Sequence, residues 1–275
     1  MENHHQNTAY AHNKQSMNAS SHQELLSRGF CVIRAVLDVE TVTELVEHAE
    51  MEVETLPHMA HSSSMWRLRT LPQIRQIYEF IYNDRDLITS FDGMSFKVPH
   101  MDGLILDYHV DQDQCETSCY QSLIALRPSD ATTGSITLLE RSHLLHMSIL
   151  RQHDLDKPRG DDRGWQFVYL GDDKSVLKAC VAVQPALLAG DVVVWDSRTV
   201  HAVTSAQDAA AVRHVAYVCM VPRNFASQDT LKRRRAAFLR GAASTHWPHR
   251  FVSRGDANGP KRYWKTVTPT IAALV

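Results

Sequence analysis

The chain has no apolar run near the roughly 18 residues needed to span a bilayer, so no transmembrane helix is expected. It also has little net charge. Its 29 Lys and Arg against 31 Asp and Glu leave −2 over 275 residues. That balance argues against a nucleic-acid protein driven by bulk positive charge. Cysteine is scarce: five are present, an odd number, and Cys115 and Cys119 form the one close pair. Without a second matching pair no structural zinc site is expected, and the thiols read as a reduced set in a cytoplasmic protein. The first 22 residues are rich in His, Asn and Ser. They lack the hydrophobic stretch of a signal peptide and the arginines of a transit peptide. Residues 1–22 are therefore expected to form a disordered tail. The remainder, 23–275, is long enough for a substantial core. It is expected to be one domain with flanking helices and a C-terminal helical extension.

Helical periodicity runs through Val39–Leu56, where Val42, Leu45, Val46 and Met51 fall near one face. A second helix is expected over Leu71–Tyr82, with Pro72 tolerated in its first turn. Both should pack outside a sheet. From Phe91 onward short apolar runs alternate with Gly, Pro and Asp. Gly103–Tyr108, Ser122–Leu126, Ser135–Leu139, Ala179–Val183, Asp191–Trp195 and Arg213–Val221 are the strand candidates, a pattern that suggests a sandwich or jelly roll. Leu150–Asp173, charged and containing glycine, reads as an insert or lid. Ser227–Gly241 reads as a helix whose run Lys232-Arg233-Arg234-Arg235 is a solvated face, with a phosphate or CoA contact as the sharper alternative.

The chemistry concentrates in His109-Val110-Asp111, followed 90 residues after Asp111 by His201 and 12 residues later by Arg213. Side chains alternate along a strand, so His109 and Asp111 point the same way. Two imidazoles and one carboxylate on one face of a metal leave three positions open, which suits non-haem Fe(II) and its need to bind a co-substrate and O₂ together. Arg213 sits early on the strand after His201. Its planar, permanently charged fork matches a carboxylate. A dicarboxylate that chelates iron at one end needs such a partner at the other, and 2-oxoglutarate is such a molecule.

These residues resemble the phytanoyl-CoA dioxygenase family of Fe(II)/2-oxoglutarate oxygenases. Gly29-Phe30-Cys31-Val32-Ile33 with Val36-Leu37 is similar to its N-terminal strand. Phe96-Lys97-Val98-Pro99 resembles the segment before the metal motif. Thr133-Gly134-Ser135 through Ser142-His143 resembles its Gly-Ser-His stretch, with Glu140-Arg141 where Pro-Gly is usual. The resemblance covers roughly residues 24–223. It implies a mainly β fold with flanking helices, an eight-stranded double-stranded β-helix (jelly roll, cupin-like). It further implies oxidative decarboxylation of 2-oxoglutarate to succinate and CO₂, coupled to oxidation of a C–H bond, by default hydroxylation. A carboxylate at Asp111 argues against the halide site of related halogenases.

Beyond the triad, Arg213 is the expected carboxylate clamp, with an ion pair to Asp208 as its structural alternative. Thr204 is a candidate hydroxyl partner for the same carboxylate, and Gln121 and Lys97 are candidates for lining the co-substrate site. Arg198 and Asp92 are candidate substrate contacts, with a mutual ion pair, or Asp196 for Arg198, as alternatives. His143 and His146 are expected to pack or hydrogen-bond, and His214 to face away from Arg213. Thr245-His246-Trp247-Pro248 should pack across the barrel or wall the pocket. The expected partner is a small molecule, with no nucleic acid and no membrane, for a monomer or homodimer. Two competing readings are a non-catalytic jelly-roll binding protein and a cupin-type metal hydrolase or isomerase.

Overall fold

The computed structural model describes residues 15–56, 59–96, 104–112, 119–152, 168–170, 174–208, 210–251 and 268–275. Residues 15–22, expected to belong to a disordered tail, are ordered, and residues 1–14 lie outside the described residues. Helix α1 (Ala19–Arg28) starts under a reciprocal cap between Asn18 and Ser21, and Met17 ahead of it is buried. It ends on Gly29, whose φ of 88° puts it in the left-handed region. A Cβ there would meet His143 Nδ1 at 2.5 Å and Thr199 Oγ1 at 2.6 Å, so only glycine fits. Strand β1 (Phe30–Ile33) follows, then α2 (Val39–Val53), α3 (Ser63–Thr70) and α4 (Pro72–Tyr82). On α2 the buried stripe is Val42, Leu45, Val46 and Ala49; Met51 is exposed, because the 3.6-residue repeat passes through 49 and not 51.

The β region comprises β2 (Leu87–Thr89), β3 (Met94–Ser95), β4 (Leu104–Val110), β5 (Tyr120–Ala125) and β6 (Ile136–Leu139). After α5 (His146–Gln152) come β7 (Val168–Tyr169), α6 (Lys174–Ala179) and β8 (Ala182–Val183). Then follow β9 (Val192–Asp196), β10 (His201–Thr204), β11 (Val215–Pro222), α7 (Gln228–Arg240) and α8 (Pro269–Leu274). Of the expected strand over 179–183 only Ala182–Val183 forms β8, and Ala179 ends α6. Most of the expected insert over 150–173 lies outside the described residues.

The strands form two antiparallel sheets. One has the order β1-β9-β5-β11-β2, with β3 also on β11; the other has β7-β4-β10-β6-β8. From β3 to β6 and from β8 to β11 the chain passes between the sheets in the manner of a jelly roll. Among the described residues no strand pairing closes the two sheets into a continuous barrel.

Alternation along the strands builds two cores. On β9, Val192 and Val194 face outward into a cluster with helix residues Leu45, Met65 and Ile77, while Val193 and Trp195 face inward. β5 and β11 divide the same way: Ile124, Val218 and Met220 lie outward, Leu123, Ala125 and Val215 inward. Both faces of this sheet are thus buried, so its strands read as near-continuous apolar runs. The inward layer meets Ile136 and Leu138 of the second sheet.

Candidate metal centre

His109 is the penultimate residue of β4 and His201 opens β10, and the register pairs these two residues directly. Their imidazole centroids are 4.2 Å apart. Asp111, two positions beyond His109, falls on the same face. One ligand atom from each of the three lies within 4.8 Å of the others, and all three residues are buried.

The imidazoles are oriented from behind. His109 Nδ1–H donates to Asp107 O at 2.7 Å and His201 Nδ1–H to Thr199 O at 3.0 Å. A carbonyl can only accept, so each Nδ1 carries the proton and each Nε2 can present a lone pair. His201 Nε2 lies 3.1 Å from Asp111 Oδ2, and His109 Nε2 lies 3.5 Å from Asp111 Oδ1. Oδ1 is buried and has no closer partner, whereas Oδ2 accepts from Gln121 Nε2 at 2.7 Å. Lone pairs that converge in this way require a positive charge among them. Burial alone would raise the Asp111 carboxyl; His246, His201 and His109 outweigh it and hold it well below the usual carboxylate range. Burial pushes His109 down, but Asp111 more than reverses that and raises it. His201 is lowered, by burial and by its neighbour His109. A proton on His109 answers part of the demand; a divalent ion answers all three donors, and the two-nitrogen, one-oxygen set fits one.

The turn bearing Asp111 is tied down on both sides. Its N–H donates to Ser197 O at 3.1 Å. Its carbonyl accepts from Trp247 Nε1 at 2.8 Å and from His246 Nε2 at 3.3 Å. Gln112 O accepts from His146 Nε2 at 2.6 Å, and Gln112 Oε1 from the Ser197 hydroxyl at 2.5 Å. His143 Nε2–H donates to Leu26 O at 3.1 Å. The C-terminal Thr-His-Trp-Pro stretch therefore supports the metal motif directly, and His246 lines the cavity.

That cavity measures about 250 Å³ and opens on the triad. Arg213 lines it, 1% exposed. No acidic side chain pairs with Arg213 among the described residues. Its nearest polar contacts are the hydroxyls of Ser95 and Tyr217, each at the 3.5 Å limit, and its Nε has none. Asp208 instead accepts from the Ala210 N–H at 2.8 Å. His214 turns the other way, toward Glu50 and Phe96. Gln121 and Asp92 line the cavity; Leu106, Leu123, Ile136 and Val203 supply apolar wall.

Other candidates fall elsewhere. Thr204 is not in the wall. Its hydroxyl bonds with the Ser135 backbone and accepts from Gln184 Nε2 at 2.8 Å, because alternation puts Val203 inside and Thr204 outside. Arg198 is also outside the wall, its guanidinium forked onto Asp196 at 2.8 and 2.5 Å. Lys97 lies outside the described residues. In the basic run, Arg234 is fully buried and not solvated. It donates to the carbonyls of Thr89, Pro248 and Val275, and burial drops its pKa to about 9. Trp195 is the site residue that sequence reasoning passed over; the Thr245–Pro248 stretch was expected to pack across the barrel or wall the pocket, and His246 lines the cavity. The motif around His246 and Trp247 was visible, but its contact with Asp111 spans some 135 residues.

A profile of the family described as Gig2-like matches residues 173–270, well under half of the chain. "Ava biosynthesis cluster protein O" of Aspergillus versicolor is 26% identical over 221 residues, covering 71% of this chain. The chain spans 66% of the length of that relative. Among solved structures, the non-haem α-ketoglutarate-dependent carbocyclase SnoK from nogalamycin biosynthesis superposes with a TM-score of 0.58 at 17% identity, covering 76% of this chain and 87% of that one. EctD from S. alaskensis, solved with 2-oxoglutarate and 5-hydroxyectoine, gives 0.57 at 15% identity, covering 76% and 77%. AviO1 from Streptomyces viridochromogenes gives 0.56 at 15%, covering 77% and 98%. The chain therefore has the jelly-roll fold found in SnoK and EctD.

Proposed function

We propose that this protein is a non-haem Fe(II)- and 2-oxoglutarate-dependent oxygenase. It would oxidise, by default hydroxylate, a C–H bond of a small organic molecule and release succinate and CO₂. The observation that carries this reading is Arg213, a buried guanidinium without an acidic partner in the same cavity as a His-Asp-His cluster. A charge in that position is costly to bury alone, and a dicarboxylate spanning the cavity would satisfy both ends.

Iron held by His109 Nε2, Asp111 and His201 Nε2 would supply the oxidising chemistry. The chain supplies the rest. Gln121 fixes one Asp111 oxygen, and Trp247 fixes the carbonyl of the same residue. Arg213 binds the distal carboxylate, with the Ser95 and Tyr217 hydroxyls beside it. Leu106, Leu123, Ile136 and Val203 keep water from the bound co-substrate, which strengthens the ion pair. Asp92, in the cavity wall, is the proposed substrate contact. Within this class the resembling segments favour the phytanoyl-CoA dioxygenase family. The Aspergillus versicolor relative and the nogalamycin enzymes favour a specialised metabolite as substrate. SnoN and SnoK, described as an epimerase and a carbocyclase, illustrate other outcomes on this fold.

The test is turnover. Wild-type protein with Fe(II), 2-oxoglutarate and O₂ should release succinate, slowly without substrate. His109→Ala, Asp111→Ala and His201→Ala should each lose that release while keeping the melting temperature near wild type. Iron-dependent succinate persisting in two of the three variants would exclude the triad as ligands.

A further inference from the structure

Trp195 lines the metal cavity and is 2% exposed, and its Nε1–H is buried without a hydrogen-bond partner. Buried N–H groups are rarely left unmade, so an orphan in a ligand cavity calls for an acceptor. The protein around the indole offers none. It packs with Phe30, Leu123 and Val193 in the apolar layer between the sheets. Its ring lies 5.5 Å from that of His201, whose Nδ1 is committed to Thr199 O. The cavity that the indole lines is the place for such an acceptor.

Position selects the group. In the first sheet β9 and β11 flank β5; Trp195 is on β9, whereas Arg213 lies two residues ahead of β11, beyond the end of that strand opposite Ala125 and well away from Cys219, which pairs with Gln121. Trp195 lies directly across from Gln121, which donates to Asp111. The indole is thus at the triad end of the cavity, on the side away from Arg213. We propose that Trp195 Nε1–H donates to the carboxylate at the metal-binding end of the 2-oxo acid, opposite the carboxylate held by Arg213. This inference rests on 2-oxoglutarate being the co-substrate. It makes Trp195 a second anchor for that molecule, reading the end that departs as CO₂. An ionised acceptor explains why an N–H is kept in an otherwise apolar layer.

Calorimetric titration of 2-oxoglutarate into Mn(II)-loaded protein, without substrate, tests it in wild type and Trp195→Phe. Mn(II) affinity and melting temperature are measured beside it. The expected result is a loss of 2-oxoglutarate affinity on the order of tenfold or more. Mn(II) affinity and melting temperature should stay near wild type. Unchanged affinity in Trp195→Phe, with normal binding by wild type, overturns the Trp195 contact and leaves the proposed function standing. A parallel fall in Mn(II) affinity or melting temperature assigns Trp195 to packing and also overturns it. Absence of 2-oxoglutarate binding to Mn(II)-loaded wild type overturns the proposed function itself, and the Trp195 contact with it.

Discussion

Replacing Arg213 with methionine should have an effect opposite in sign to that of an ordinary core truncation. Removing a large buried side chain commonly destabilises by about 2–5 kcal/mol. Arg213, however, is a buried charge with two hydroxyl contacts at 3.5 Å and no acidic partner. Desolvating such a charge costs several kcal/mol, which the unliganded protein recovers poorly. Arg213→Met keeps most of the volume and removes the charge. The metal-loaded, co-substrate-free protein should therefore be as stable as wild type, within about 1 kcal/mol, or more stable. The ligand response should behave differently. At a hundredfold excess over Kd, 2-oxoglutarate should stabilise wild type by about 2.7 kcal/mol. That is roughly 5–11 °C for a chain of this size. A charge-assisted bidentate contact contributes about 2–3 kcal/mol. Without it the same concentration is only about one to three times Kd, and the shift falls to roughly 1–3 °C. Differential scanning calorimetry with Mn(II), with and without 2-oxoglutarate, reads both quantities. A loss of 3 kcal/mol or more in the unliganded variant would make Arg213 a structural residue. A full ligand-induced shift in the variant would place the carboxylate partner elsewhere.

Two further perturbations probe the surroundings of the site. Arg198→Met should cost about 1–3 kcal/mol, because it leaves the buried Asp196 carboxylate without its guanidinium, and should lower the melting temperature by several degrees. Its 2-oxoglutarate affinity should not change; a variant with normal stability and impaired product formation would instead return Arg198 to the substrate. Stability should also fall in mild acid. Burial, with Arg250 and His246 nearby, lowers His249 to about 4. Below the unfolded value of about 6.5 the unfolded chain takes up a proton that the native imidazole refuses, so stability declines as pH drops from there toward 4. His249 alone contributes about 2 kcal/mol of loss by pH 5. Urea unfolding at pH 7 and pH 5 should show this loss in wild type and a smaller one in His249→Phe; equal losses would mean His249 is not the group responsible.

The metal motif was legible because it obeys one rule. Strand alternation puts His109 and Asp111 on one face, and His201 is the histidine that opens a later strand beside them. The burial of Arg213 in the cavity wall was legible because a charged residue just ahead of an otherwise apolar strand demands a reason. Thr204 was misplaced by closeness in sequence, although the alternation that links 109 to 111 also separates 203 from 204. Arg198 was judged by its distance from His201, yet its nearest charge was Asp196, two residues back. What could not be read was long-range. The contact of Trp247 with the Asp111 carbonyl and the burial of Arg234 under the C-terminal residues depend on where an extension folds back, and local pattern carries no such information. Trp195 looked like one more apolar strand residue. Its unpaired N–H becomes visible only when the surrounding side chains are in place.

Coupled binding of metal and co-substrate tests the central claim most directly. 2-Oxoglutarate should be titrated into the protein with and without a divalent metal, Mn(II) or anaerobic Fe(II). If His109, Asp111 and His201 hold the metal that chelates one end, and Arg213 holds the other, binding should be strong with metal and at least tenfold weaker without it. Asp111→Ala should behave like metal-free wild type in both conditions. Equal affinity with and without metal, or no binding in either, would contradict a shared site for metal and dicarboxylate.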